Sequence, residues 1–224
     1  MERNKLKPRD KEIIWSQQLG YAVGLIASDG CLSSDMRHLN FVSKDLEQIE
    51  TLRECLGIRA KIAEHKSGRA NSTELYYRLQ WSDTVLYDFF LSIGLTPKKS
   101  LNIGALDIPD DYFFDFLRGS FDGDGCFYSY FDPRWKNSFM FYVTLSSASE
   151  MHIKWLRENL QRLVNIKGHI TFSKKGKGIF NLKYAKKESL ILLANVYKER
   201  GAPCLSRKKL KISDALRIVG KSLP

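Results

Sequence analysis

Gly24-Leu25-Ile26-Ala27-Ser28-Asp29-Gly30 and Gly119-Ser120-Phe121-Asp122-Gly123-Asp124-Gly125 carry the same short pattern, 95 positions apart. In each copy a Gly is followed five residues later by an Asp and then by another Gly, and the chain next enters an aromatic or hydroxyl-rich stretch. The residues leading into each Asp are apolar or small and lack proline, which reads as a helix, with Gly30 and Gly125 stopping it in the left-handed conformation. Asp29 and Asp124 then stand at helix C-termini. An anion there opposes the helix dipole by roughly 0.3–1 kcal/mol and calls for a compensating charge, a divalent cation being the obvious candidate. Gly24, Ser28, Gly119, Ser120 and Gly123 carry little or no side chain, so two such helices can meet backbone to backbone and bring both carboxylates to a pseudo-dyad.

The paired segments resemble the two motifs of LAGLIDADG homing endonucleases in their single-chain, two-repeat form. The second copy keeps Gly119, Asp122, Asp124 and Gly125, and the first keeps Gly24, Leu25, Ile26, Asp29 and Gly30. The resemblance implies that Asp29 and Asp124 are catalytic metal ligands, with the backbone carbonyls of Gly30 and Gly125 beside them. The earlier acid of the motif survives as Asp122 but is Ala27 in the first copy, which offers no ligand. Family members place a basic residue near each metal site. Lys44, Lys98 and Lys99 match that role loosely, with Ser147 standing where a second Lys44 would be.

The activity implied is site-specific cleavage of double-stranded DNA by a monomer, with a staggered cut leaving 3′ overhangs and a role in intron or intein mobility. Phosphodiester hydrolysis needs an activated water and neutralisation of the departing 3′ oxygen, both of which hard dications supply. Mg²⁺ (or Mn²⁺) uses only one or two protein carboxylates, so two aspartates suffice; Ca²⁺ is expected to support binding without cleavage. Host intron RNA is a second candidate partner. The alternative function on the same fold is a non-cleaving binder, an intron RNA maturase or a DNA-binding regulator, which would tolerate loss of either acid. A purely structural module would not need the charge described next.

The 224 residues carry a net charge of +11, with 36 basic and 25 acidic side chains, so an acidic polymer is the expected partner. The charge is uneven. Residues 1–105 hold 15 basic and 13 acidic residues (+2), and residues 106–224 hold 21 and 12 (+9). Cys31, Cys55, Cys126 and Cys204 are scattered with no CxxC pair, which argues against a zinc site or disulfide framework and for a reducing compartment. No apolar run reaches membrane-spanning length, and Met1–Glu12 is charged with no apolar stretch behind it, so an intracellular, non-secreted chain with no membrane partner is expected.

Periodicity extends the repeat beyond the motif. Strands around 31–43, a helix over 44–56, strands over 59–66 and 74–81 across the Ser67–Asn71 turn, and a helix over 82–93 follow the first copy. Strands near 126–131 and 138–145, a helix over 149–163, strands over 167–173 and 178–184, and a helix over 187–200 follow the second. The expected fold class is α+β: two pseudo-symmetric αββαββα repeats, residues 1–105 and 106–224, whose antiparallel sheets form a DNA-binding saddle. The Pro97–Pro109 linker joins them, Asp110 is expected to cap the second motif helix, and a last helix near 206–219 is expected on the outside.

A two-stranded ribbon fits the major groove. In the strand over 74–81, Leu75, Tyr77, Leu79 and Trp81 alternate with Glu74, Tyr76, Arg78 and Gln80, so the second set faces a partner. The same division selects His38, Asn40, Arg59, Lys61 and His65 in the first repeat, and Lys167, His169, Thr171, Ser173, Asn181 and Lys183 in the second. Lys174-Lys175-Gly176-Lys177 and Arg207-Lys208-Lys209 are candidate phosphate contacts. His152 is expected on a helix surface with no role.

Overall fold

Ser16 starts the first helix by accepting a hydrogen bond from the Leu19 N–H at 3.1 Å, and α1 (Gln17–Ser28) then runs to Asp29 at its C-cap. In this computed structural model the described residues are 12–66, 74–135, 137–174 and 178–224. Expectations placed on Met1–Lys11, the Ser67–Asn71 turn and Lys175-Gly176-Lys177 lie outside them. After α1 come β1 (Gly30–Leu32), β2 (His38–Ser43), α2 (Leu46–Cys55), β3 (Ile62–Lys66), β4 (Leu75–Ser82) and α3 (Thr84–Ser92). A 3₁₀ turn (Asp110–Tyr112) opens the second round: α4 (Phe113–Asp124), β5 (Cys126–Phe131), β6 (Phe139–Ser147), α5 (Glu150–Val164), β7 (His169–Ser173), β8 (Ile179–Ala185) and α6 (Lys186–Val196). A final helix, α7 (Ser206–Ile218), follows.

Each round forms its own antiparallel four-stranded sheet, in the orders β1-β2-β4-β3 and β5-β6-β8-β7. The fold is therefore the α+β double αββαββα arrangement. One face of each sheet is apolar and covered by helices: Leu39, Phe41 and Leu79 in the first, Phe141, Val143, Leu145 and Leu182 in the second, all essentially inaccessible. Register puts the opposite face at Asn40, paired with Gln80, and at Tyr142 and Thr144, paired with Tyr128 and Cys126. Leu75, read as inward, is exposed near the outer end of β4.

The two motif helices pack against each other with almost no side chain between them. A Cβ on Gly24 would be driven into the Phe116 carbonyl and come within 2.6 Å of the Ser120 nitrogen. On Gly119 it would strike the Tyr21 carbonyl and lie 3.0 Å from the Leu25 nitrogen. The obstacles are backbone atoms, which cannot rotate away as a side-chain tip can.

Several local expectations are corrected. Gly30 and Gly125 are not left-handed: Gly125 is extended, and Gly30 begins β1. They are small because a Cβ would lie 2.7 Å from the Ile26 or Phe121 Cα one turn back. Asp110 caps nothing and instead receives both arms of Arg162. His152 is buried, stacked on Trp155 at 5.2 Å, with Nδ1 2.9 Å from the Gly104 carbonyl; burial pushes its pKa down to about 4. It anchors the linker. Helix α7 does not lie apart on the outside: Arg207 donates to Asp45 at 2.6 Å and the Ser206 N–H to Glu47 at 3.0 Å, tying it to the first repeat.

Gly119→Ala is expected to cost more than about 3 kcal/mol or to prevent folding, because backbone must be displaced. Gly104→Ala, where nothing lies within 4 Å of the new methyl, is expected to stay within about 0.5 kcal/mol of wild type. Urea unfolding compares the two; similar losses would contradict the backbone-contact account.

Candidate functional site

A helix leaves its last carbonyls without intrahelical partners, and both motif helices do so at the buried end of their contact. The Lys99 ammonium meets those of α1, donating to the Gly30 carbonyl at 2.5 Å and the Ser28 carbonyl at 3.4 Å. The Lys208 ammonium meets those of α4, donating to Phe121, Asp122, Gly125 and Gly123 carbonyls at 2.6, 2.8, 2.7 and 3.3 Å. Ser28 and Gly30 correspond to Gly123 and Gly125 in the repeat, so the two ammoniums occupy matching positions. Part of the compensation assigned to a dication is thus supplied by lysine. Lys99 comes from the linker and Lys208 from α7; burial depresses both pKa values, and neighbouring aspartates oppose the depression.

Between these cations lie the two acids. Asp29 reaches the opposite helix: a Cβ on Gly123, the residue before Asp124, would lie 3.0 Å from Asp29 Oδ2. Burial, then the charge of Asp124, raises the Asp29 pKa to about 6. Burial raises that of Asp124 as well, with Lys99 and Lys208 pulling it down. A cleft of about 220 Å³ opens beside Asp124, walled by Ala27, Ser28, Ser100, Ser146, Ser147 and Ile179. Small residues at 27 and 147 leave it open.

Among the described residues no group of three His, Cys, Asp or Glu side chains could enclose a metal ion. The donor set is two hard carboxylates. It fits a dication that keeps most of its ligands as water and phosphate oxygen, and a dication would favour the charged form of both acids against the burial that raises their pKa values, and against the charge of Asp124 that adds to the shift at Asp29. The Gly30 and Gly125 carbonyls already accept from lysines, which leaves the carboxylates as the donors.

The remaining basic candidates are placed differently. Lys98 is exposed in a left-handed conformation, with φ of 59°. Lys44 donates to Glu74 at 2.7 Å and lies 5.2 Å from the centre of the Tyr76 ring, while the cations acting on Asp29 and Asp124 are Lys99 and Lys208. Asp122 is a fastening: the Tyr21 hydroxyl donates to it at 2.9 Å and the Leu205 N–H at 2.7 Å, which pins the start of α7. Arg118, fully buried, completes the fastening with bonds to Asp115 at 2.5 Å, the Val196 carbonyl at 2.8 Å and the Pro203 carbonyl at 2.7 Å. Both contacts with the 203–205 segment come from the second motif helix, and Ala27 and Val23 hold the matching places in the first.

On the open face of the first sheet, Arg78 Nε donates to Asn40 at 2.9 Å and its NH2 to Gln80 at 2.6 Å. His38, on the same strand as Asn40, is hydrogen-bonded to Asp35. Arg59 and Lys61 are exposed just before β3, and His65 lies opposite Tyr76 in the ladder. On the second sheet His169 pairs with Lys183 and Thr171 with Asn181, whose Oδ1 accepts from Ser146 at 2.8 Å; Lys167 is exposed just before β7. Sequence reasoning missed two features. Lys208 is not the surface phosphate contact that its basic run suggests, and the available signal is that a lysine two residues past Pro97 and another five past Pro203 follow matching loop ends. Tyr128, Tyr130 and Tyr142 are the second, occupying the open-face positions of β5 and β6.

This architecture is the two-repeat LAGLIDADG fold. The chain is similar to full-length DUF199/WhiA from Thermatoga maritima, with a TM-score of 0.57 and 16% identity over 93% of this chain. It spans 62% of the length of that protein. It is similar to the homing endonuclease I-WcaI bound to its DNA recognition sequence, with a TM-score of 0.61 and 17% identity over 93% of this chain and 95% of the other. A third likeness is to I-DmoI in complex with DNA and Mn, with a TM-score of 0.53 and 14% identity over 82% and 98% of the two chains. At such identities the likeness is one of fold. No protein-family model and no curated protein matches the sequence. Among the described residues no helix is long and apolar enough to cross a membrane.

The raised Asp29 pKa has a consequence for stability. Between its ordinary value of 3.8 and about 6, the folded chain binds more protons than the unfolded one, so metal-free stability falls as pH rises through that window. Asp29→Asn removes the cost. Asp29 is open to solvent, which screens much of this cost, so in EDTA the variant is expected to exceed wild type by about 1 kcal/mol or less at pH 7.5 and to match it near pH 3.5. A gap independent of pH in denaturation curves would contradict the assignment.

Proposed function

We propose that the chain is a site-specific double-strand DNA endonuclease, acting as a monomer through two repeats, residues 1–105 and 106–224, each of which serves one half-site. The observation that carries this reading is the meeting of Asp29 and Asp124, one from each repeat, between buried Lys99 and half-buried Lys208 and beside the first strand of each sheet. Support comes from fold neighbours described as homing endonucleases bound to DNA, one of them with Mn.

In this reading Asp29 and Asp124 hold Mg²⁺ or Mn²⁺, which when bound supplies an activated water and neutralises charge on the departing 3′ oxygen. Lys99 and Lys208 fix the ends of the motif helices, so the carboxylates stand in place before substrate arrives. Their ammoniums also offset developing negative charge on the phosphate. The cleft beside Asp124 gives a phosphate or ordered water room without rearrangement. Arg78, Asn40 and Gln80 form a prearranged group for base edges in the major groove, with His38, Arg59, Lys61, His65 and Tyr76 around it. His169, Thr171, Asn181, Lys167 and Lys183 serve the other half-site. A 3′-overhanging staggered cut, an intracellular setting and a role in intron or intein mobility belong to the same proposal.

A second reading on the same fold is a nucleic-acid binder that does not cleave, whose partner is duplex DNA or intron RNA; the lack, among the described residues, of any group of three His, Cys, Asp or Glu side chains around a metal position favours it. The acids separate the two. Asp124→Asn is expected to keep duplex affinity within about threefold of wild type and to abolish cleavage of at least one strand. The double variant with Asp29→Asn should bind without cutting in Mg²⁺, as wild type does in Ca²⁺. Cleavage assays on a target recovered from random-library DNA decide the matter: full cleavage by the double variant would overturn the assignment of the two acids, and binding without cleavage by wild type in Mg²⁺ would favour the binder. Affinity should also drop steeply with salt, by about 10³-fold or more between 50 and 200 mM, because the basic second half gathers phosphate contacts. A nearly flat salt profile would contradict a DNA-gripping surface.

A further inference from the structure

The open faces of the two sheets are built from different chemistry. On the first, a guanidinium, a carboxamide oxygen from Asn40 and another from Gln80 are already joined in one hydrogen-bonded group. On the second, the β5–β6 ribbon presents tyrosines. Tyr128 and Tyr142 pair directly across the ladder with ring centres 5.0 Å apart and planes within 14°, and Tyr130 stands 6.3 Å from Tyr142 and nearly parallel to it. The Lys183 ammonium lies 4.3 Å from the centre of the Tyr142 ring and 4.9 Å from that of Tyr128. This β8 cation, on the strand next to the ribbon, is therefore held against ring faces.

We propose that Tyr128, Tyr130 and Tyr142, with Lys183, read one half-site of duplex DNA chiefly through thymine methyl groups, while the first sheet reads the other through hydrogen bonds. The inference rests on the endonuclease reading and deepens it. Three arguments lead to this occupant. The tyrosine face continues the surface that carries Asn181, Lys183 and Thr171, and it belongs to the +9 half of the chain, which suits a polyanion. Its parallel rings already engage one another and Lys183, so they are poor platforms for stacking an unpaired base, which needs an open ring face. What remains for a groove floor is ring edge and hydroxyl. In the major groove the apolar feature that distinguishes one base pair from another is the thymine C5-methyl.

The consequence is an asymmetric code. Under the first sheet Arg78 suits the two acceptors of guanine, and Asn40 or Gln80 suits adenine. Under the β5–β6 ribbon thymine should be favoured, with weaker discrimination among the other bases.

The test uses the full chain and a duplex target selected by it from random-library DNA, with binding measured in Ca²⁺. Single thymines are then replaced by uracil, which removes only the methyl group and keeps base pairing. In one half-site, uracil is expected to weaken binding by about fourfold per contacted position, the factor associated with burying one apolar carbon. In the other half-site the change should be negligible. Tyr130→Ala, at a partly exposed position, should weaken binding to the thymine duplex and abolish the uracil effect, whereas Arg78→Ala should leave the uracil effect intact and relax guanine preference in the opposite half. Equal tolerance of uracil in both halves, or an effect that survives both Tyr130→Ala and Tyr142→Ala, overturns the proposal while the endonuclease reading stands. Preference for single-stranded over duplex DNA also overturns it. Failure to recover any duplex sequence overturns the endonuclease reading and this proposal together.

Discussion

The contact between α1 and α4 constrains everything else. Because Gly24 and Gly119 put backbone against backbone, the helix ends come close enough for Asp29 to reach across to Gly123. The same closeness packs protein around one side of each acid and concentrates like charge, and desolvation and the neighbouring acid raise the pKa of Asp29 although its carboxylate still meets solvent. Two lysines relieve part of that strain, and each is delivered by a segment outside the motif helices. The sheets begin one residue after each acid or its glycine, so their open faces are fixed relative to the carboxylates by the helix ends.

Pseudo-symmetry is kept in the backbone and broken in the fastenings. The first motif helix is almost wholly apolar, whereas the second carries Arg118 and Asp122, both buried and both bonded to the segment leading into α7. A buried charge is tolerated where its hydrogen bonds are supplied, and Arg118 makes three. Helix α7 in turn crosses to Asp45 and Glu47 of the first repeat and carries Lys208 to the α4 terminus. An addition to one repeat thereby serves the shared site.

Much of this was legible in the sequence because it is repeated and periodic. The Gly-x4-Asp-Gly spacing placed both acids at helix ends, and strict alternation in Leu79 and Trp81 against Arg78 and Gln80 assigned the faces of β4 correctly. What stayed hidden depends on tertiary closure. The need for glycine at 30 and 125 comes from a turn of the same helix folding back on β1 or β5, not from an unusual φ, and sequence does not separate those causes. Lys208 is one lysine in a basic run until α7 is docked. His152 looks like any helix histidine until the linker carbonyl of Gly104 is laid against it. Tyr128, Tyr130 and Tyr142 do not stand out from core aromatics in the sequence, and only their alternation with buried Phe127 and Phe141 along β5 and β6 shows that they face out.

The central claim is that Asp29 and Asp124 together make one metal-binding centre at the meeting of the two repeats. Crystals of the chain with its duplex target grown in Mn²⁺ would show this directly through anomalous scattering. The account predicts manganese peaks within coordinating distance of both carboxylates, with Lys99 and Lys208 beside the bound phosphates. Manganese absent from both carboxylates, with DNA seated on the sheets, would contradict it.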